Sequence, residues 1–258
     1  MLILLSPAKS LDFDTQAPAT KCSEPALLEG SQELVQGLRK LGPSGLKSLM
    51  SISDSLADLN AARFADWQPT CHLGPCKQAM FAFTGDVYQG LDATSLGKDD
   101  IDQAQDRLRI LSGLYGVLRP LDLIRPYRLE MGSRYANPRG KDLYAYWGDE
   151  ITEQLNTALA ALGADRVVNL ASNEYFRAVR PKQLAAEVIS PVFKDLKNGA
   201  YKVVSFYAKR ARGAMARFLI QQRVRAPEGM AAFDWAGYRY VPDVSTPAQP
   251  VFLRDAPP

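Results

Sequence analysis

The chain has 258 residues, 47% of them apolar and 23% charged, with a formal net charge of +3. This is the profile of an ordinary globular protein long enough to bury a core, and so mild a charge excludes any argument for nucleic acid from the total alone. No apolar run reaches the length of a membrane span, and the opening MLILLSPAK lacks a basic leader, which predicts a first strand rather than a signal peptide and a cytoplasmic chain.

In chain order, LILL (2 to 5) reads as a buried strand bounded by Ser6-Pro7. SQELVQGLRKLG (31 to 42) sets Leu34, Leu38 and Leu41 on one helical face, and Gly42-Pro43 ends that helix. Leu46, Leu49, Met50, Ile52, Leu56 and Leu59 continue at helical spacing toward Phe64. AMFAF (79 to 83) predicts a strand, and Asp99 to Leu108 a polar-rich helix running into ILSGLYG. A single helix is predicted over 143 to 162, then a strand at RVVNLA (166 to 171). EVISPVF and YKVVSFY are joined by KDLKNGA, whose Asn198-Gly199 is the favoured pair of a tight hairpin turn. GYRYV and PVFLR predict two more short strands, and the Pro-rich tail from 242 is expected to be loosely held. Interspersed elements with an antiparallel pair predict a mixed α+β fold in one domain, 1 to 258.

Cys22, Cys71 and Cys76 are an odd count without framework spacing, so free thiols are expected. Cys71, His72 and Cys76 invite a metal reading, but His72 is the only histidine and no second pair completes a tetrahedral set. No metal site is expected.

Charge is segregated along the chain. Asp86, Asp92, Asp99, Asp100, Asp102 and Asp106 form an acidic block. Between Arg107 and Lys141 the bases face only Asp122 and Glu130, and SFYAKRARGAMARFLIQQRVR (205 to 225) has six bases and no acid. As a helix over 208 to 225, it places Ala211, Ala214, Met215, Phe218 and Leu219 on one side and Lys209, Arg212, Arg217 and Arg223 on the other, with Arg210 at the flank. The readings are a solvated face, a nucleic-acid phosphate site or, ranked below these, an anionic lipid site.

ILSGLYGVLRP (110 to 120) has the general form of a helix-hairpin-helix element, with Gly113, Tyr115 and Gly116 bringing backbone N–H groups to phosphate and Arg119 adding charge. A plain tight turn is the other reading. SPAKSLDF (6 to 13) is the candidate for chemistry: a strand end delivers Lys9 as a base or Schiff-base nucleophile, or only as a surface lysine. No phosphate-binding G-x-x-x-x-G-K-[ST], HExxH or G-x-S-x-G occurs.

LSPAKSLDF, NAARFADW, FTGDVYQGL, LSGLYGVLRPLDLIRPYRLEMG, GKDLYAYWG, VNLASNEYF and FYAKRARGAMARF together resemble the YaaA family, linked to peroxide stress resistance in bacteria. The resemblance spans nearly the whole chain and weakens after about Asp234. It implies a cytosolic protein that limits oxidative damage, in part by keeping intracellular iron low. It also implies a single mixed domain of unusual topology with a helix-hairpin-helix and a positive cleft. The partners it implies are double-stranded and branched DNA; no cofactor or protein partner follows from it. The expected site is Gly113, Tyr115, Gly116, Arg119, Lys209, Arg210, Arg212 and Arg217, binding DNA by structure rather than sequence. The alternative is an enzyme acting on nucleic acid or a nucleobase through Lys9. Iron capture by Asp99, Asp100 and Asp102 is a third, disfavoured reading, because adjacent helical side chains diverge.

Overall fold

The computed structural model describes residues 1–71 and 74–256 and is a mixed α+β structure. Leu2–Leu5 is the middle strand of a five-stranded sheet, and all four of its side chains are buried, as in a parallel strand covered on both faces. It pairs in parallel with Leu108–Ser112 on one side (Ile3 opposite Leu108) and with Arg166–Asn169 on the other (Ile3 opposite Val168). Glu187–Ile189 extends the sheet in parallel beyond the latter, and Gly116–Leu118 closes the opposite edge antiparallel to Leu108–Ser112.

A second sheet runs in the order Arg239–Tyr240, Val251–Arg254, Val192–Lys197, Ala200–Lys202. Asn198 and Gly199, at φ 55 and φ 76, make the expected tight turn of its hairpin. The flanks of that hairpin differ from expectation. Glu187–Ile189 joins the first sheet and Val192–Lys197 the second, because Ser190-Pro191 breaks the run between them. The chain becomes helical from Ser205, so YKVVSFY is a strand only at its start.

Several other expectations are corrected. AMFAF is a buried helical turn, Ala79–Ala82, behind a two-residue strand, Lys77–Gln78; periodicity does not separate a short apolar strand from a helical turn buried all round. The helix over 143 to 162 is two, Leu143–Trp147 and Glu150–Leu162, split at Gly148 with φ 49. The tail is anchored: Val251–Arg254 is a buried strand in parallel register with Val192–Lys197. Cys71 and Cys76 are not free thiols but a disulfide, because the loop returns their Cα atoms to 5.9 Å; Cys22 is free and exposed. His72, the remaining member of the metal reading, lies outside the described residues.

Gly42 breaks Leu28–Met50 at φ 59, and Pro43 opens its second segment, as the sequence predicts. The basic helix, Ser205–Gln221, packs its small-residue face on the short helix Asp86–Leu91. The backbones touch: a Cβ on Gly213 would stand 1.8 Å from the Val87 carbonyl oxygen, and one on Gly90 2.0 Å from that of Arg210.

Candidate functional site

ILSGLYG is a β-hairpin and not a helix-hairpin-helix: Leu108–Ser112 turns through 113 to 115 into Gly116–Leu118. Its turn faces the core. Tyr115 is 1% exposed, and its hydroxyl accepts from Trp67 Nε1 at 2.9 Å and from the Arg125 N–H at 3.1 Å. The Tyr115 N–H is taken by Ser112 Oγ and the Gly113 carbonyl by Trp147 Nε1. A Cβ on Gly113 would lie 2.3 Å from the Leu129 oxygen, and Gly116, at φ +66, sits beneath Leu27 and Trp147. These glycines admit protein neighbours rather than phosphate. Arg119 is tied to Asp122 Oδ1 at 3.0 Å and to the Glu24 carbonyl.

The basic helix answers the charge segregation in a way its own residues do not show. The acidic block folds against it. Arg223 meets Asp100 at 2.7 Å, and Arg217 meets Asp92 at 3.4 Å while also capping the Leu91 and Asp92 carbonyls. Arg210 donates to Gln89 Oε1 through Nε and Nη2. Arg107, at the junction of the two blocks, is fully buried and donates to the carbonyls of Met1, Leu219 and Val224. Burial, seconded by Arg225 and Arg223, lowers its pKa to about 10. Of the disfavoured iron set, Asp100 is thus held by Arg223, and Asp102 pairs with Lys21 at 2.7 Å.

Lys209 and Arg212 are placed differently. They line a cavity of about 300 Å³ at the carboxyl ends of Leu2–Leu5 and Arg166–Asn169. The chain leaves the first strand toward Leu108–Ser112 and later crosses to the other side at Arg166–Asn169. The crevice beyond these two strands is therefore the switch point where open α/β sheets hold ligands. The strand ends are joined there: the Ser172 N–H donates to Ser6 Oγ at 2.8 Å, and the Tyr88 hydroxyl to the Ser6 carbonyl.

Lys9 lies in this concave site. Its Nζ is 3.0 Å from Glu130 Oε2, and Arg128 Nη2 is 3.1 Å from Glu130 Oε1. The turn carrying Lys9 is fixed by Asp12, which accepts the Asp14 and Thr15 N–H groups and the ammonium of Lys77. Hydrogen bonds from Thr15 and then Lys77 hold the Asp12 carboxyl well below the usual carboxylate range. On the far wall Glu174 accepts the Gly132 N–H at 2.9 Å, and burial drives the hydroxyls of Tyr127 and Tyr175 well above the usual tyrosine range.

Of the expected site residues, Lys9, Lys209 and Arg212 thus come together. Arg210, Arg217 and Arg119 are spent on the fold, and Gly113, Tyr115 and Gly116 are buried. Sequence reasoning passed over Glu130, Ser172 and Glu174 as members of the site. A signal for them was present: every residue lining the cavity falls in one of the stretches LSPAKSLDF, FTGDVYQGL, PYRLEMG, VNLASNEYF and FYAKRARGAMARF.

Comparisons with known proteins place the chain in a family. A family model described as peroxide stress protein YaaA matches residues 1–244. A UPF0246 protein of Shewanella baltica strain OS155 is 59% identical over 255 residues, covering 98% of this chain and 99% of its own length. UPF0246 proteins of Shewanella sp. strain ANA-3 and Shewanella denitrificans are each 56% identical, covering 99% of this chain and 100% and 99% of their own lengths. No helix among the described residues is long and apolar enough to cross a membrane. Matched by the family model over residues 1–244 and by relatives across nearly its whole length, the chain belongs to the YaaA family of peroxide stress proteins.

Proposed function

We propose that the chain serves the peroxide stress response by binding double-stranded and branched DNA at the mouth of this cavity, protecting it in the cytoplasm and helping to keep intracellular iron low. One observation carries the reading: Lys9, Arg128, Lys209 and Arg212, drawn from three separate parts of the chain, converge on one site. Phosphate is the ligand such a set attracts, and without side chains dedicated to base edges the binding selects structure rather than sequence.

Lys209→Ala with Arg212→Ala therefore weakens binding to linear and four-way DNA and flattens the log–log salt slope by about 0.9 per lost phosphate contact. Fluorescence anisotropy at two salt concentrations measures both. Arg210→Ala with Arg217→Ala, whose side chains serve Gln89 and the Leu91–Asp92 carbonyls, changes the slope less. An unchanged slope in the first double variant removes the cavity mouth as the DNA site.

A second reading, an enzyme acting on nucleic acid, is favoured by the position of Lys9 in a concave site beside a carboxylate. In this reading the Lys9 amine adds to the C1′ aldehyde of an abasic sugar and loses water to form an imine. Borohydride then traps a covalent adduct with abasic-site duplex, and Lys9→Met abolishes it. No adduct with the parent protein leaves binding without turnover.

A further inference from the structure

Arg212 has no hydrogen-bond or ion-pair partner among the described residues. It is half-buried, and burial alone lowers its pKa, with no carboxylate opposing the shift. A charge withdrawn from water is ordinarily paired. Arg128, on the same cavity, spends Nη2 on Glu130 while its buried Nε finds no partner among the described residues. Two guanidiniums lining one cavity thus keep donors unused, and each such group calls for an explanation. The charges of the lining agree: four bases (Lys9, Arg128, Lys209, Arg212) against three acids (Asp86, Glu130, Glu174) leave one positive charge over. Glu130 is already taken by Lys9 and Arg128, and Glu174 is engaged by the Gly132 N–H.

We infer that the cavity is a receptor for a terminal phosphate, a phosphate monoester at a DNA end or on a mononucleotide, with Arg212 as its anchor. The inference rests on the DNA-binding reading above and narrows it. Shape points to a monoester. It carries about −1.5 to −2 charge near neutral pH, and its oxygens accept the paired N–H groups of a guanidinium. A cavity of about 300 Å³ is at the small end for ligand pockets, sized for a chain end or a single nucleotide. A diester within an unbroken duplex stays on the surface of the double helix and cannot descend into it; a terminal group can.

The test compares blunt duplexes of one sequence with 5′-phosphate, 3′-phosphate or hydroxyl ends, together with a closed dumbbell that has no ends, by anisotropy. One phosphorylated end is expected to bind about tenfold more tightly than hydroxyl ends or the dumbbell. Arg212→Gln abolishes that preference, whereas Lys182→Gln, an exposed charge outside the cavity, leaves it intact. If all four duplexes bind alike, the terminal-phosphate site is overturned while the DNA reading stands. If no duplex binds, calorimetric titration with deoxynucleoside 5′- and 3′-monophosphates decides. Uptake by the parent and loss in Arg212→Gln keeps the site and removes DNA as its source; no uptake removes both.

Discussion

Replacing Gly213 by alanine destabilises the protein, against the ordinary trend for a glycine inside a helix. In a solvent-facing position the change stabilises by about 1 kcal/mol through helix propensity. Here the new Cβ would stand 1.8 Å from the Val87 carbonyl oxygen and 2.7 Å from the Leu91 nitrogen. Both are backbone atoms, so no rotamer relieves the contact and the helices Ser205–Gln221 and Asp86–Leu91 must part. Overpacking of this kind costs about 3 kcal/mol, leaving a net loss of about 2 kcal/mol and a midpoint lower by about 4–8 °C for a chain of this size. Gly90→Ala repeats the result from the other side, at 2.0 Å from the Arg210 oxygen. The double variant costs less than the sum, because helices already parted admit the second methyl group. Thermal and urea unfolding of the three variants measure this; a neutral or stabilised Gly213→Ala means that the helices do not touch. Gly97→Ala, in open space, is the control.

Asp195→Ala produces the other large loss. Asp195 accepts from Arg254 Nε at 2.6 Å and from the Tyr238 hydroxyl at 3.0 Å, and the pair is 1% and 2% exposed. The guanidinium is flanked by the rings of Tyr207 and Tyr238, at 4.6 and 4.3 Å. Removing the carboxylate strands a buried cation, which costs about 3–5 kcal/mol, a large part of the stability of a typical domain. Asp195→Ala with Arg254→Met removes both charges and recovers most of the loss, because the intact pair offsets little beyond its own desolvation. Urea midpoints of the single and double variants test this, and equal losses in both overturn it. Arg254 belongs to a tail that composition alone marks as loose.

Where local rules dominate, the sequence is a sufficient guide to this chain. Leu2–Leu5 is apolar at every position and becomes the doubly covered middle strand. Asn198-Gly199 takes the positive φ values its turn requires, and Gly42-Pro43 interrupts its helix. The stretch SPAKSLDF carries Lys9 to a strand end, where sheets expose loops for chemistry. The mixed α+β class and the family were legible for the same reason, since both follow from the order and wording of short segments.

Tertiary structure decided what depends on distant partners. AMFAF is too short for its period to tell strand from helical turn, and the backbone at Pro120 and Asp122 settles it by accepting the Met80 and Ala79 N–H groups. ILSGLYG carries glycines that fit either a phosphate loop or a tight core turn; the indole of Trp147 and the backbone at Leu129 occupy the space that a phosphate would need. The basic run at 205 to 225 reads as a free cationic face because its counter-charges lie more than a hundred residues earlier, on Asp92 and Asp100. Coulomb interaction depends on separation in space, and the fold brings those carboxylates alongside Arg217 and Arg223. It sets Arg212 apart by turning it into the cavity without a partner among the described residues, a difference among identical side chains that no pattern along the chain records.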